Sequence, residues 1–504
     1  MKLDLVSNFL SWRMKKRYHQ IELFMKYPHE VQTEILSDLL REAQDTHWGK
    51  KYGFGSIKTF EDYTKNLPLC FYENIEPLVE RLRAGEKDLL WPGEIKWFAK
   101  SSGTTNSKSK FIPVSQQAIE DTHFKGGKDL LSIYSNLYEE TTIFSGSNLR
   151  LGGSTYTNNK KNNSYYGDVS AIIIENLPFW VEMRSTPNNK ISLMDEWEAK
   201  IEAIATTSIK EDVASLAGVP SWMLVLLHRI LEKSGKSNLH EVWPNLELYM
   251  HGGVSFGPYR KQFEALMGRP INYLETYNAS EGFFGIQDQK NAEDMLLMLD
   301  YGIFYEFIPM EKFDGVNSPT IPLSEVKVGE NYALVISSNA GLWRYIIGDT
   351  VRFTSTYPYR IKISGRTKHF INVFGEEVII ENAEVALSHA CEKMQATVAE
   401  YTVAPVFMEG KSSGAHQWLI EFEKRPQNIQ AFADFLDQRL KELNSDYEAK
   451  RHKDMALKPL QILEAKPKLF YQWLKSKGRL GGQYKVPRLS NSRQHIDELI
   501  ALNT

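Results

Sequence analysis

The sequence predicts an α/β fold with a large N-terminal α/β body and a smaller α+β C-terminal unit, and three observations carry that prediction. From Trp97 onward, short apolar segments broken by Gly, Ser, Thr and Asn alternate with helical patterns, the combination that builds a sheet covered by helices. After Ser364-Gly365-Arg366 the pattern restarts with a hairpin-like stretch, the segments HACEKMQATVAEYTVAPVF and HQWLIEFE, and a charged helix from Asn428 to Asn444. The length of 504 residues fits either about three domains of ~150 residues or one large body with one smaller partner. The expected division is 1–366 and 367–504, with a hinge at 366–368.

In chain order, the first 50 residues read as a helix pair, because Ile21, Leu23, Phe24, Val31, Ile35, Leu39 and Leu40 recur at helical spacing among charges. Expected strands are KWFA, KFIPV, SAIII, NLELYM, PINYLETY, YGIFYEFIP, NYALVIS, WRYII and TVRF, each short and bounded by turn residues. Helices are expected over Ser192 to Thr206 and Pro220 to Lys233. The segment Tyr156 to Tyr166, with TNNKKNNS at its centre, reads as a polar turn or surface loop.

Composition removes several function classes. Sixty basic and 63 acidic side chains leave a net charge of -3, so no global field draws nucleic acid or anionic lipid. With only Cys70 and Cys391, neither a disulfide framework nor a Cys-based zinc site is expected, and a reducing cytoplasm is the natural compartment. None of the 12 His falls in HExxH or another metal spacing. The N-terminus has Asp4 and Asn8 where a signal peptide needs an unbroken apolar core, and the longest apolar stretches fall far short of the ~20 residues of a spanning helix. The expectation is a cytoplasmic monomer acting on small molecules, with no membrane or nucleic-acid partner.

Five motifs carry chemistry. Ser101-Ser102-Gly103-Thr104-Thr105, followed by Asn106, Ser107 and Lys110, lies between two strand candidates and offers backbone N–H groups, hydroxyls and a charge to phosphate oxygens. It lacks the GxxxxGK[ST] spacing of a Walker loop, and alone it reads equally as an ordinary Ser/Thr turn. Thr276-Tyr277-Asn278-Ala279-Ser280-Glu281-Gly282 ends an apolar strand; its aromatic suits stacking on a base and its carboxylate suits Mg²⁺ among phosphates, although a core Tyr and a surface Glu are the commoner pair. Gly348-Asp349 interrupts two strand-like runs; it is either a hairpin turn or an acceptor for ribose hydroxyls. Gly365-Arg366-Thr367-Lys368 and Gln483-Tyr484-Lys485-Val486-Pro487-Arg488 complete the series, and each taken singly is equally a piece of surface.

Their order is what decides. A hydroxyl loop, YxxSE, Gly-Asp, GRxK and a late Lys follow the order of adenylate-forming enzymes, and SSGTT, TYNASEG, WRYIIGD, GRTKHFINVFGEEV and QYKVPR resemble the Gretchen Hagen family of acyl acid amido synthetases from about Glu22 to Asp497. That resemblance implies an adenylate-forming fold: a large N-terminal domain with mixed sheets and a β-barrel-like part, and a mobile C-terminal domain. It implies that Ser101, Ser102, Gly103, Thr104 and Thr105 line the phosphates with Lys110, that Gly253, Val254, Thr276 and Tyr277 approach the adenine and α-phosphate, and that Glu281 holds Mg²⁺. Asp349 is then the ribose residue with Arg366 beside it, Lys368 the hinge and Lys485 the mobile lysine. The chain has Ser107 where the family loop usually carries a Gly.

The expected reaction is ATP-dependent activation of a carboxylic acid as an acyl-adenylate, then transfer to an amine such as an amino acid, with AMP and pyrophosphate released. An acyl-CoA ligase shares the first half-reaction, and QYKVPR in place of PKTxxGK speaks against it. A nucleotide-binding module that has lost catalysis is the alternative outside enzymes. Val219, Trp222, Met223 and Leu226 share an apolar helical face that is either core or the acyl pocket; Trp180 and Met183 are open in the same way.

Overall fold

The structure, a computed structural model, describes residues 17–101, 110–159, 164–253, 256–367, 370–408, 413–477 and 486–503. Its centre is a mixed sheet of twelve strands. One half is parallel, running Asn272–Ala279, Leu248–Gly252, Val213–Ala217, Ser147–Arg150 and Ser185–Thr186. The other half is antiparallel and runs from Gly282–Ile286 through Met295–Leu297, Tyr359–Arg366, Tyr345–Thr356, Asn331–Ser338 and Ile303–Pro309 to the edge at Ile321–Pro322. This antiparallel half takes the place expected of the barrel-like part. A four-stranded sheet lies beside it in the order Lys110–Val114, Trp97–Ser101, Ser164–Gly167, Thr155–Asn159.

Strands such as Ile303–Pro309 and Asn331–Ser338 are buried along nearly their whole length because both faces are covered. The helix Pro28–Ala43 lies against Ile303–Pro309, where the buried Gln32 amide donates to the Leu299 and Ile303 carbonyls at 2.8 and 3.0 Å and accepts from Tyr305 N–H at 2.9 Å. A buried amide is tolerated there because its bonds are satisfied. Arg344 fastens the same region. Its guanidinium pairs with the fully buried Glu306 at 2.8 Å and donates to the Thr64 and Leu67 carbonyls at 3.0 and 2.6 Å.

The helix Pro220–Ser234 starts on Pro and ends at Gly235 with φ 67°, the asymmetry that helix termini favour. The charged helix of the C-terminal unit spans Ile429–Leu443, with Asn428 capping its first turn and Asn444 closing it. That unit holds a two-stranded hairpin, Phe370–Ile371 with Val378–Ile379, and a three-stranded sheet of Thr397–Val406, Ala415–Lys424 and Gln461–Glu464. It packs on the parallel half of the large sheet through a shared apolar core containing Phe263, Phe374 and Leu440. Tyr259 donates its hydroxyl to the Val373 carbonyl at 2.5 Å across that contact.

Four expectations need correction. SAIII is not a strand: Val169–Glu175 is a helix that Asp168 starts, with Ile172 and Ile174 turned into the core, because a short apolar run does not by itself distinguish the two periods. The ends of Tyr156 to Tyr166 are strands rather than loop, since Thr155–Asn159 pairs antiparallel with Ser164–Gly167. WRYII and TVRF belong to one strand, Tyr345–Thr356, in which Gly348 at φ 99° takes up an irregularity in the pairing with Asn331–Ser338 instead of making a turn. The helix expected from Ser192 begins at Trp197, behind Glu196, whose carboxylate accepts from Glu198 and Ala199 N–H.

Candidate active site

Asn272–Ala279 is the seam of the large sheet, parallel to Leu248–Gly252 on one side and antiparallel to Gly282–Ile286 on the other. Ligand sites in open α/β sheets form where the strand arrangement changes, at the carboxyl ends of the strands. A cleft of about 2720 Å³ opens there, walled by Ser101, Lys110, Glu281, Asp349 and Arg366 and closed on the C-terminal side by Glu377 among others. Glu281 stands at the two-residue turn joining Asn272–Ala279 to Gly282–Ile286, and Asp349 and Arg366 are register partners on adjacent antiparallel strands.

These side chains form one charge cluster. Arg366 lies 2.8 Å from Asp349 Oδ1 and 3.0 Å from Glu377 Oε1. Burial opposes its charge, but Glu377, Asp349 and Glu281 outweigh that and hold the guanidinium above its ordinary range. Tyr277 donates its hydroxyl to Asp349 Oδ2 at 2.5 Å, and burial together with the Asp349 charge keeps that phenol protonated. Burial pushes the Glu281 carboxyl up to about 7, with Lys110 opposing the shift. Lys110 is itself drawn below its ordinary value by burial, and Glu281 resists that change. Each of these two groups is costly to charge without the other or without a bound counter-ion.

Of the expected site residues, the structure brings Ser101, Lys110, Gly253, Thr276, Tyr277, Glu281, Asp349 and Arg366 onto the one cleft. Ser102, Gly103, Thr104, Thr105, Val254, Lys368 and Lys485 lie outside the described residues. Tyr277 is buried, with its ring edge-on to Phe284, so the hydroxyl bond to Asp349 is its main contribution. Gly252 pairs with Thr276, and a Cβ there would stand 2.4 Å from the Thr276 carbonyl oxygen; only Gly permits this approach. Val219 and Trp222 line the cleft. Met223, Leu226 and Leu227 do not: they are 0% exposed and fill the core, Leu226 even though it lies one helical turn beyond Trp222 on the same face.

Several cleft residues escaped sequence reasoning. His251, beside the Gly pair, is pushed down to about 3 by burial and is neutral. Trp197 meets Trp222 edge-on at 3.8 Å, and Lys450 from the C-terminal unit sits 3.9 Å above the Trp222 ring. Arg150 and Lys200 lie at the far end. The one local signal for that end is Gly152-Gly153, one residue beyond the strand Ser147–Arg150, a pattern that marks close backbone approach without naming a ligand.

A hard carboxylate oxygen on the cleft wall, whose charge burial opposes, fits Mg²⁺, which takes one or two carboxylates and completes its shell with phosphate oxygens and water. Among the described residues no group of three acidic, His or Cys side chains forms a protein-only metal site. None of their helices is long and apolar enough to cross a membrane.

Comparison with known proteins places this geometry in context. The GH3 family N-terminal domain model matches residues 17–271, the central domain model 296–366 and the C-terminal domain model 381–494. The chain is 23% identical to jasmonoyl--L-amino acid synthetase GH3.5 of Oryza sativa subsp. japonica, over 96% of this chain and 96% of the rice protein. It is 23% identical to indole-3-acetic acid-amido synthetase GH3.3 of Arabidopsis thaliana, over 91% of this chain and 89% of that one. Among solved structures, the GH3.15 acyl acid amido synthetase superposes with a TM-score of 0.60 at 17% identity, over 97% of this chain and 96% of the other. A 2-hydroxyisobutyryl-CoA ligase superposes with a TM-score of 0.55 at 12% identity, over 94% and 92%.

Proposed function

The chain belongs to the GH3 family, and from that premise we propose that it is an AMP-forming ligase that activates a carboxylic acid with ATP and joins it to an amino acid through an amide bond. The observation that carries this reading is the convergence of Lys110, Glu281, Asp349 and Arg366 on one cleft at the seam of the sheet.

In the first step a carboxylate oxygen attacks the α-phosphorus, a P–O bond to the leaving diphosphate breaks, and an acyl-adenylate remains. In the second, the amine nitrogen attacks the acyl carbon, the C–O bond to AMP breaks, and the amine loses a proton. Neither step requires a covalent enzyme intermediate, so catalysis rests on positioning and on charge placed where it develops. Lys110 and Ser101 are assigned to the phosphates, and Ser102, Gly103, Thr104 and Thr105 would add hydroxyls and N–H groups to them. Asp349 accepts from the ribose while keeping its bonds to Tyr277 and Arg366, since a carboxylate has about four acceptor sites. Glu281 would hold Mg²⁺, which supplies positive charge to the phosphate oxygens.

The division at 366–368, with Lys368 as hinge and Lys485 carried by the C-terminal unit, belongs to the same proposal. Turning that unit would bring Lys485 to the phosphates for the first step and withdraw it for the second. We place the enzyme in the cytoplasm as a monomer. The test is an acid-dependent pyrophosphate-exchange screen, followed by mass spectrometry of products with an amino-acid panel and with coenzyme A. Amide products with AMP release support the reading; thioester formation with coenzyme A and no amide overturns it.

A further inference from the structure

Arg150 is a buried cation that the reaction as described leaves unused. It ends the parallel strand Ser147–Arg150, is 7% exposed and lines the cleft. Its Nη2 donates to Asn189 Oδ1 at 2.5 Å, whereas Nε and Nη1 have no partner among the described residues. Glu182 supplies opposing charge through space, but burial dominates and lowers the guanidinium toward 10. A buried guanidinium with unfilled donors is expensive unless an anion or strong acceptor completes it. Arg also presents a planar fork that matches a carboxylate.

The surroundings are built to hold this end in place. Lys200, 2% exposed, donates to the Gly152 and Gly153 carbonyls at 3.0 and 2.9 Å and so fixes the chain leaving Arg150. Position along the sheet then says which substrate reaches it. Thr276, which the family resemblance sets near the adenine and α-phosphate, pairs with Gly252; Met250 on that strand pairs with Ala217, and Ala217 pairs with Arg150. Three inter-strand steps of ~4.8 Å put the strand end bearing Arg150 on the order of 14 Å from that bearing Thr276. Gly252, Gly253, Gly218 and Val219 lie along that line, with no large side chain from Gly252, Gly253 or Gly218 to block it, and Trp222 and Trp197 flank it. A molecule whose reacting carboxyl sits at the Thr276 end and whose body passes Val219 and Trp222 arrives at Arg150 with its opposite terminus.

We infer that Arg150 binds a second anionic group at the distal end of the acyl substrate, so that the preferred acid is a dicarboxylate or another acid with a remote negative charge. This rests on the proposed function for which end of the cleft reacts. The Arg150 side chain is a substrate-binding group and takes no part in bond formation.

The experiment compares adipate, suberate, sebacate and terephthalate with their monomethyl esters in pyrophosphate exchange, using the full-length protein and its Arg150→Gln variant. A hydrogen-bonded charge pair corresponds to roughly a 10- to 100-fold effect. The wild-type protein should therefore prefer at least one diacid over its half-ester by about that factor in kcat/KM, and the variant should lose the preference while using half-esters as before. Half-esters or simple monocarboxylates used as well as every diacid by the wild type overturn the inference without reference to any variant. So does a variant that keeps the preference. Calorimetric titration of the same diacids separates the two readings. Arg150-dependent binding without exchange for any acid retains this site and sinks the adenylation reading, whereas exchange confined to monocarboxylates does the reverse.

Discussion

Asp349 and Arg366 face each other across neighbouring antiparallel strands, with Arg366 Nε 2.8 Å from Asp349 Oδ1 while Tyr277 occupies Oδ2 at 2.5 Å. Three elements therefore meet on one carboxylate: the seam strand, the strand interrupted at Gly348, and the last strand before 366–368. Arg366 extends the same chain of charge to Glu377 in the C-terminal unit, so the nucleotide side of the cleft and the contact with that unit share a guanidinium.

Asp349→Asn keeps an acceptor for Tyr277 but takes the charge away from Arg366. Pyrophosphate exchange is expected to fall by about 100-fold, the size typical for one preorganised polar contact to a reacting group. Unfolding stability should drop by about 1–3 kcal/mol from the lost charge-assisted bond. Exchange kinetics and urea melts measure both, and exchange at the wild-type rate would remove Asp349 from the nucleotide site.

Much of the seam was legible because strand and turn chemistry are local. The strand Asn272–Ala279, the helix Pro220–Ser234 with its Pro and Gly ends, and the Asn428 cap all follow from residues within a few positions of one another. The helix Val169–Glu175 was misread because Ile172, Ile173 and Ile174 fit either period and only the tertiary neighbours choose. Arg150 and Lys450 were invisible for a different reason: their meaning depends on which strands become neighbours and on a contact between distant parts of the chain. Met223 and Trp222 are adjacent in sequence and share apolar character, and only the packing of their helix sends one to the core and leaves the other at the cleft.

Glu281→Gln preserves shape and removes the anionic oxygen assigned to Mg²⁺. Exchange measured across a MgCl₂ series should show a half-saturating concentration raised by about 10-fold and a lower maximum. An unchanged Mg²⁺ curve would move the metal to phosphate oxygens alone.

Lys485→Ala tests the mobile lysine directly. If Lys485 contributes charge only while the acid is being adenylated, exchange should fall by roughly 100-fold, whereas reaction of a preformed acyl-adenylate with an amino acid should stay within about 3-fold of wild type. Equal losses in both assays would argue for a general structural role.

Lys200 provides a pH signature. Burial lowers its ammonium from 10.5 to about 8, and the Asp168 and Asp195 charges resist that shift. Between those two values the unfolded chain binds the proton and the folded chain does not, so this group makes stability rise with pH across that window. Relative to Lys200→Met, the wild-type protein should gain about 1–3 kcal/mol between pH 8 and pH 10.5 in urea titrations. Parallel curves for the two proteins would mean that Lys200 keeps its charge when folded.

Glu306→Gln tests the ion pair that joins the N-terminal helices to the antiparallel half of the sheet. Glu306 is 0% exposed and its partner Arg344, itself buried, donates to the backbone of Thr64 and Leu67. Removing the carboxylate charge leaves the guanidinium in the core with carbonyl, amide and Thr320 oxygens as its only acceptors among the described residues, and a buried pair broken in this way typically costs about 3–5 kcal/mol. Arg344 does not line the cleft, so the protein that remains folded should keep its KM for ATP. Chemical denaturation gives the first quantity and exchange kinetics below the unfolding transition give the second. A stable variant with an altered KM for ATP would place Arg344 in the nucleotide site after all.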